Sequence, residues 1–344
     1  MADANTKLRK AGLVFQGGGA LGAFELGVAR AIYGPHSRFE PDVISGVSIG
    51  SINAVLLARP ARSMTGLQAL ESFWRDVAVN HWLSIWLGAS ASSLGVPGFY
   101  SPDLPWLPSR TSLYDIRPLI RTLQALVDFD GLADPSAQPQ LMLGTINIET
   151  GKSVIFDSRE KGLELKHILA SASLPPSFPG VSIDGKIHWD GGIFDNTPLG
   201  AVIEHLDAPD PEILVVNLFP NENPPPTTLA EVSQVLTNIL FANKTDADLR
   251  LMEKFNAVAD LLDFIDRTFP DSEIHKTREY ALLRRYRRVP KVLNVNRTAT
   301  NKASESSDFS RDGIQGRARE GERLTRIALR DAGLMEASFA NTEG

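Results

Sequence analysis

The chain has 344 residues, 43% hydrophobic and 22% charged, with a net charge of -6, which is the make-up of a globular protein able to bury a sizeable core. The acidic balance argues against a nucleic-acid partner, which needs clustered lysine and arginine for phosphates. The absence of cysteine removes disulfides, thiolate nucleophiles and zinc-thiolate sites. The first ten residues are polar and no later apolar run is long enough to span a bilayer, so the expectation is a cytoplasmic protein, with peripheral membrane contact left open.

Leu13-Val14-Phe15 predicts a short buried strand, and Gly17-Gly18-Gly19 after it opens a helix from about Ala20 to Tyr33. A strand, a glycine turn and a helix start can gather several backbone N–H groups on one anion. Dinucleotide sites share the pattern, but they carry an acidic residue about 20 positions on that closes a second strand. Here Asp42 begins the second strand, residues 42–47, so the nucleotide reading is the weaker one. Gly46-Val47-Ser48-Ile49-Gly50 then leads into a helix from Ile49 to Ala58. Isolated G-x-S-x-G matches occur by chance, but strand, tight serine turn and helix are the setting of a nucleophile elbow.

Residues of about 73–110 change character and hold Trp74, Trp82, Trp86 and Trp106 among small residues and prolines. A cap-like insertion is expected, as an apolar wall for acyl chains or an interfacial surface, with a subsidiary core as the competing reading. A helix ending near Val127 follows, with Asp115 as its cap. A hairpin of 140–148 and 152–156 turns at Glu149-Thr150-Gly151, where Asn147 reads as structural. A helix over 165–172 is stopped by Pro175, Pro176 and Pro179. A second hairpin, 181–183 and 186–189, delivers Asp190-Gly191-Gly192. Asn196-Thr197-Pro198 marks a helix start running to His205, and 212–219 is another strand. Three prolines within 221–228 make the clearest linker. Beyond it come helices over 229–265 interrupted near Asn243, a strand over 289–295, and an amphipathic helix over 313–331. The basic run from Arg284 to Arg288 reads as a solvated helix face.

Strands alternating with helices over 12–219 imply an α/β fold with a mainly parallel central sheet flanked by helices, and a site at the carboxyl ends of its strands. Ester hydrolysis through a serine needs a nucleophile, a base and donors for the developing oxyanion. Ser48 is the nucleophile candidate, and the N–H groups of Gly18 and Gly19, with that of Ile49, are the donor candidates. None of the six histidines, His36, His81, His167, His188, His205 and His275, lies in a glycine-containing loop suited to a base. Asp190 follows a strand and precedes two glycines, so its carboxylate can project from a sharp turn, and burial would raise its basicity.

Gly17-Gly18-Gly19-Ala20-Leu21-Gly22, Gly46-Val47-Ser48-Ile49-Gly50, Ala170-Ser171-Ala172-Ser173-Leu174-Pro175 and Asp190-Gly191-Gly192, in that order, resemble the patatin-like phospholipase family. The resemblance covers about residues 10–220, and implies a three-layer sandwich with a helical C-terminal extension over 221–344. It implies lipid acyl hydrolysis by a Ser48-Asp190 dyad with no cofactor and no metal, an oxyanion hole of Gly17, Gly18 and Gly19, and motif glycines Gly22, Gly46, Gly50, Gly191 and Gly192. The partner it implies is a lipid or acyl-ester substrate; oligomeric state stays open. Many members carry arginine or lysine where this chain has Leu21, so a headgroup-facing cation is expected to be missing there. Two alternatives remain at this point: a Ser-His-Asp esterase, and a non-catalytic lipid-binding module.

Overall fold

The computed structural model describes residues 9–79, 94–103, 111–206, 212–220, 222–242, 245–284, 291–298 and 305–336. The chain forms two compact units, one of residues 1–243 with 292–344 and one of residues 244–291. The chain re-enters the first unit after the second. In chain order the first unit contains β1 (Arg9–Phe15), α1 (Ala23–Ile32), β2 (Phe39–Val47), α2 (Ile49–Ala58), α3 (Gly66–Asp76), α4 (Arg117–Leu126), β3 (Gln140–Asn147), β4 (Lys152–Asp157), α5 (Leu165–Ser171), β5 (Val181–Ile183), β6 (Lys186–Asp190), α6 (Leu199–His205), β7 (Glu212–Asn217) and α7 (Leu229–Phe241). The second unit holds α8 (Thr245–Thr268) and α9 (Arg278–Leu283), after which β8 (Lys291–Asn296) and α10 (Arg311–Asp331) complete the first.

One sheet has the order β8-β7-β1-β2-β3-β6-β5, with β4 also pairing to β3. Its centre is parallel, β7 beside β1, β1 beside β2 and β2 beside β3. The hairpin strands run the other way: β4 and β6 are antiparallel to β3, and β5 to β6. Both faces of the central strands are covered, since Leu13, Val14 and Phe15 of β1 and Ile213 to Val216 of β7 have no exposed surface. Unbroken apolar runs of this kind mark strands buried on both sides by helices. The architecture is the mixed α/β arrangement that the alternation of elements implies.

The segment expected as a cap begins differently. Trp74 lies in α3, 1% exposed, and its indole N–H donates to Asn53 Oδ1 of α2 at 3.1 Å. It is a core residue, in keeping with the competing subsidiary-core reading at that position. Phe99 and Tyr100 are also buried, while Trp82, Trp86 and Trp106 lie outside the described residues. Of the basic run, Arg284 pairs with Asp263 and Asp266, and residues 285–288 lie outside the described set. Among the described residues no helix is long and apolar enough to cross a membrane.

Candidate active site

Register explains how distant residues meet. β4 occupies one edge of β3, so β2 and β6 share the other. β2 takes residues 140–144 of that edge and ends with Val47 opposite Gly144; β6, running the opposite way, takes 145–147 and ends with Asp190 opposite Thr145. The two strands finish head-on, and Ser48, the next residue after Val47, meets the aspartate.

Ser48 sits at the start of α2 with φ 58 and ψ -127, a conformation that costs a non-glycine residue about 1–3 kcal/mol and must be held by its surroundings. Its N–H donates to Ser171 O at 3.0 Å and to Ser171 Oγ at 3.2 Å, and Ser171 Oγ donates in turn to Gly144 O at 2.7 Å. Ser48 O accepts from Ser51 Oγ at 2.7 Å. The flanking glycines supply the space: a Cβ on Gly46 would stand 2.4 Å from Gly50 O, and one on Gly50 would stand 2.8 Å from Phe15 O.

Asp190 is 1% exposed. Its N–H donates to Ser173 O at 3.1 Å, and its Oδ1 accepts from Gly192 N–H at 2.8 Å. Gly191 lies against the Gly144 backbone. Oδ2 has no partner in bonding geometry among the described residues, although the Ser48 hydroxyl is near enough to the carboxyl to lower its pKa. Such loose contacts are usual for catalytic pairs before substrate is bound. Burial pushes the Asp190 carboxyl from 3.8 up to about 7, with the Ser48 hydroxyl and the Gly192 N–H pulling the other way. It therefore switches between proton acceptor and proton donor near neutral pH.

Gly17 to Gly19 lead into a 3-10 turn over Gly19–Gly22 ahead of α1, with Gly22 packed against Ile49. The three N–H groups are not equivalent. Gly17 N–H is already committed to Asn196 Oδ1 at 3.1 Å, whereas those of Gly18 and Gly19 meet no acceptor among the described residues. Ile49 N–H, at the first position of α2, has no partner within its helix. Of the three glycines of the expected oxyanion hole, Gly18 and Gly19 thus keep N–H groups without an acceptor among the described residues, while that of Gly17 is bonded. Leu21 is 1% exposed and does not line the cavity.

These groups open on a cavity of ≈ 600 Å³ whose far wall includes Phe99, Tyr100, Tyr114, Phe178, Phe241 and Phe309. Five of these rings form one contact network, with Tyr100 and Tyr114 centroids 4.7 Å apart and Phe99 and Phe309 5.6 Å apart, while Phe241 stacks on Phe219. Among its described lining residues Asp190 is the one carboxylate, and none is lysine, arginine or histidine. His36 pairs with Glu336, His167 accepts from Glu164 N–H, His188 contacts Thr145, His205 lies 3.5 Å from Asp157, and His275 pairs with Asp266 in the second unit. His81 lies outside the described residues. Among the described residues no group of three or more His, Asp or Glu is placed to hold a metal.

Sequence reasoning missed Asn196, which reads as a helix start but faces the cavity and bonds to Gly17. Of the aromatic wall it pointed only to the segment of Phe99 and Tyr100, and missed the members from four other segments. A family model described as patatin-like phospholipase matches residues 13–203. Among solved structures, VipD from Legionella pneumophila aligns with 15% identity over 93% of this chain and 67% of its own, at a TM-score of 0.44, a likeness too loose to carry argument. The family match takes in the glycine loop, the serine elbow and the Asp190 turn and spans more than half of the chain, so the protein belongs to the patatin-like phospholipase family of lipid acyl hydrolases.

Proposed function

We propose that the protein is a serine lipid acyl hydrolase in which Ser48 is the nucleophile, Asp190 the base, and the N–H groups of Gly18, Gly19 and Ile49 the oxyanion donors. The observation that carries this reading is the meeting of a conformationally strained serine and a buried, high-pKa aspartate at the end of one cavity.

Ser48 Oγ attacks the acyl carbon while its proton passes to Asp190, and the carbonyl electron pair moves onto oxygen, facing the donors. Each donor of this kind is worth about 3 kcal/mol of barrier, and a positioned base about 10²–10⁴-fold in rate. Collapse breaks the bond to the leaving oxygen, which takes the proton from Asp190 and departs as an alcohol. Water then gives a proton to Asp190 and attacks the acyl-serine, and a second collapse, with Asp190 returning that proton to Ser48 Oγ, releases the acid and restores Ser48. The aromatic wall suits the apolar part of an acyl ester.

The test is peptide mapping after treatment with a fluorophosphonate, on wild type, Ser48→Ala and Asp190→Asn. Labelling confined to Ser48, and lost in both variants while they stay folded, is expected. A folded Asp190→Asn protein with wild-type ester turnover rules out the dyad, and vesicle binding without turnover on a broad ester panel leaves the lipid-binding module.

A further inference from the structure

Asn196 joins three parts of the site. Its Oδ1 accepts from Gly17 N–H at 3.1 Å, and its Nδ2 donates to Gly17 O at 3.0 Å and to Phe241 O at 2.9 Å. One amide thus grips both polar groups of Gly17 and the last carbonyl of α7. Its orientation is fixed by these partners, because exchanging oxygen and nitrogen would set donor against donor and acceptor against two carbonyls. The side chain is 7% exposed. Two glycines make room for it, since a Cβ on Gly17 would stand 2.5 Å from Asn196 Oδ1 and one on Gly192 2.7 Å from it. The same Gly192 gives its N–H to Asp190.

Gln16 reinforces the arrangement from below. Its Nε2 donates to Thr197 Oγ1 at 2.9 Å and to Phe241 O at 3.2 Å, and its Oε1 accepts from Leu218 N–H at 2.6 Å. Phe241 O is therefore a shared anchor for two buried amides.

The consequence lies in the peptide plane. Gly17 C=O and Gly18 N–H belong to one planar trans peptide and point in opposite directions. Fixing the carbonyl on Asn196 aims the Gly18 N–H away from Asn196. We infer that Asn196 is a positioning residue that locks the Gly17–Gly18 peptide, with the Gly18 N–H presented to the oxyanion and the lock anchored on the end of α7 through Phe241 O. This rests on the acyl-transfer reading above. Without the lock the peptide is free to rotate, and the hole loses a donor although Gly18 itself is unchanged.

The experiment compares Asn196→Ala and Asn196→Asp with wild type and Ser48→Ala on a water-soluble ester and on its thionoester, alongside thermal unfolding. Asparagine and aspartate are near-isosteric, so Asn196→Asp keeps an acceptor for Gly17 N–H but offers no donor to Gly17 O or Phe241 O. Both variants are expected to lose about 10²-fold in kcat, the scale of one missing oxyanion donor, with KM close to wild type. Both should also show a smaller preference for the oxo-ester over the thionoester, because that ratio reads how well the donors fit oxygen. A loss of stability alone leaves that ratio unchanged. Wild-type kcat in either folded variant, a loss confined to KM, or an unchanged oxo-to-thiono ratio overturns the lock. Turnover that survives in Ser48→Ala overturns the acyl-transfer reading itself, and the lock with it.

Discussion

Asp190 couples stability to the proposed chemistry, and its pH dependence can be worked out. Burial holds the carboxyl at about 7 in the folded chain against an ordinary 3.8. At 1.36 kcal/mol per pH unit the difference is worth about 4 kcal/mol, and with 1% exposure there is little solvent to screen it. The folded-state pKa is raised, so between about pH 4 and about 7 the folded protein holds a proton that the unfolded chain has released. Stability contributed by this group is therefore complete below the ordinary carboxyl range, falls as pH rises through that window, and is level above it. Asp190→Asn removes the titration. Urea unfolding of wild type and Asp190→Asn from pH 4.5 to 8.5 should give curves that separate with rising pH, the asparagine variant gaining up to about 4 kcal/mol relative to wild type. Parallel curves refute the buried, high-pKa carboxyl.

The same pKa governs turnover. In the proposed mechanism Asp190 must be ionised to act as base, so kcat/KM is expected to rise through about pH 7 to a plateau. That is also where a histidine base titrates, near 6.5. A pH profile alone therefore does not separate the dyad from a Ser-His-Asp arrangement. Substitution does: neither His205 nor His275 lines the cavity, so His205→Gln and His275→Gln should keep both the rate and its pH dependence.

Ser48→Gly should unfold at higher denaturant than Ser48→Ala by about 1 kcal/mol or more, because glycine relieves the strained backbone at φ 58 while both variants lack turnover; equal midpoints remove the strain argument. Trp74→Phe leaves the buried Asn53 Oδ1 without its indole donor, so a loss of about 1–3 kcal/mol in thermal or denaturant unfolding is expected, with kcat preserved. A selective loss of turnover at full stability contradicts the core assignment of Trp74.

Local features were the legible ones. The elbow around Ser48, the hairpin of β3 and β4 and the turn at Asp190 are each written in a few consecutive residues, where glycine placement and apolar patterning act directly. The break near Asn243 also follows from local composition, with α7 ending at Phe241 and α8 beginning at Thr245. Asn196 was not legible, because its meaning comes from a bond to Gly17 across 179 positions, and Asn-Thr-Pro alone reads as a helix start. The bond that occupies Gly17 N–H was hidden for the same reason, since three adjacent glycines look alike until one N–H finds its acceptor. Phe309 joins Phe99 in the cavity wall only after the chain has returned through β8.

The topology also accounts for how a side chain as short as aspartate can serve as the proposed base. In a fully parallel sheet the partner of a nucleophile elbow must come from a loop, and reach then favours a longer group. Here β6 enters antiparallel on the edge that β2 has just left, so Asp190 departs from a hydrogen-bonded strand end directly facing Ser48. One short turn braces both: Ser171 takes the Ser48 N–H with its carbonyl and hydroxyl, and Ser173 O takes the Asp190 N–H. Ser48 and Asp190 are thus referenced to the same three residues at the end of α5, and Pro175 and Pro176 follow to stiffen that end. The separation between Ser48 Oγ and the carboxylate is set by two strand ends and a common bracket, with no mobile loop between them. A dyad of short side chains requires that geometry, because neither can extend to recover a distance the backbone does not supply.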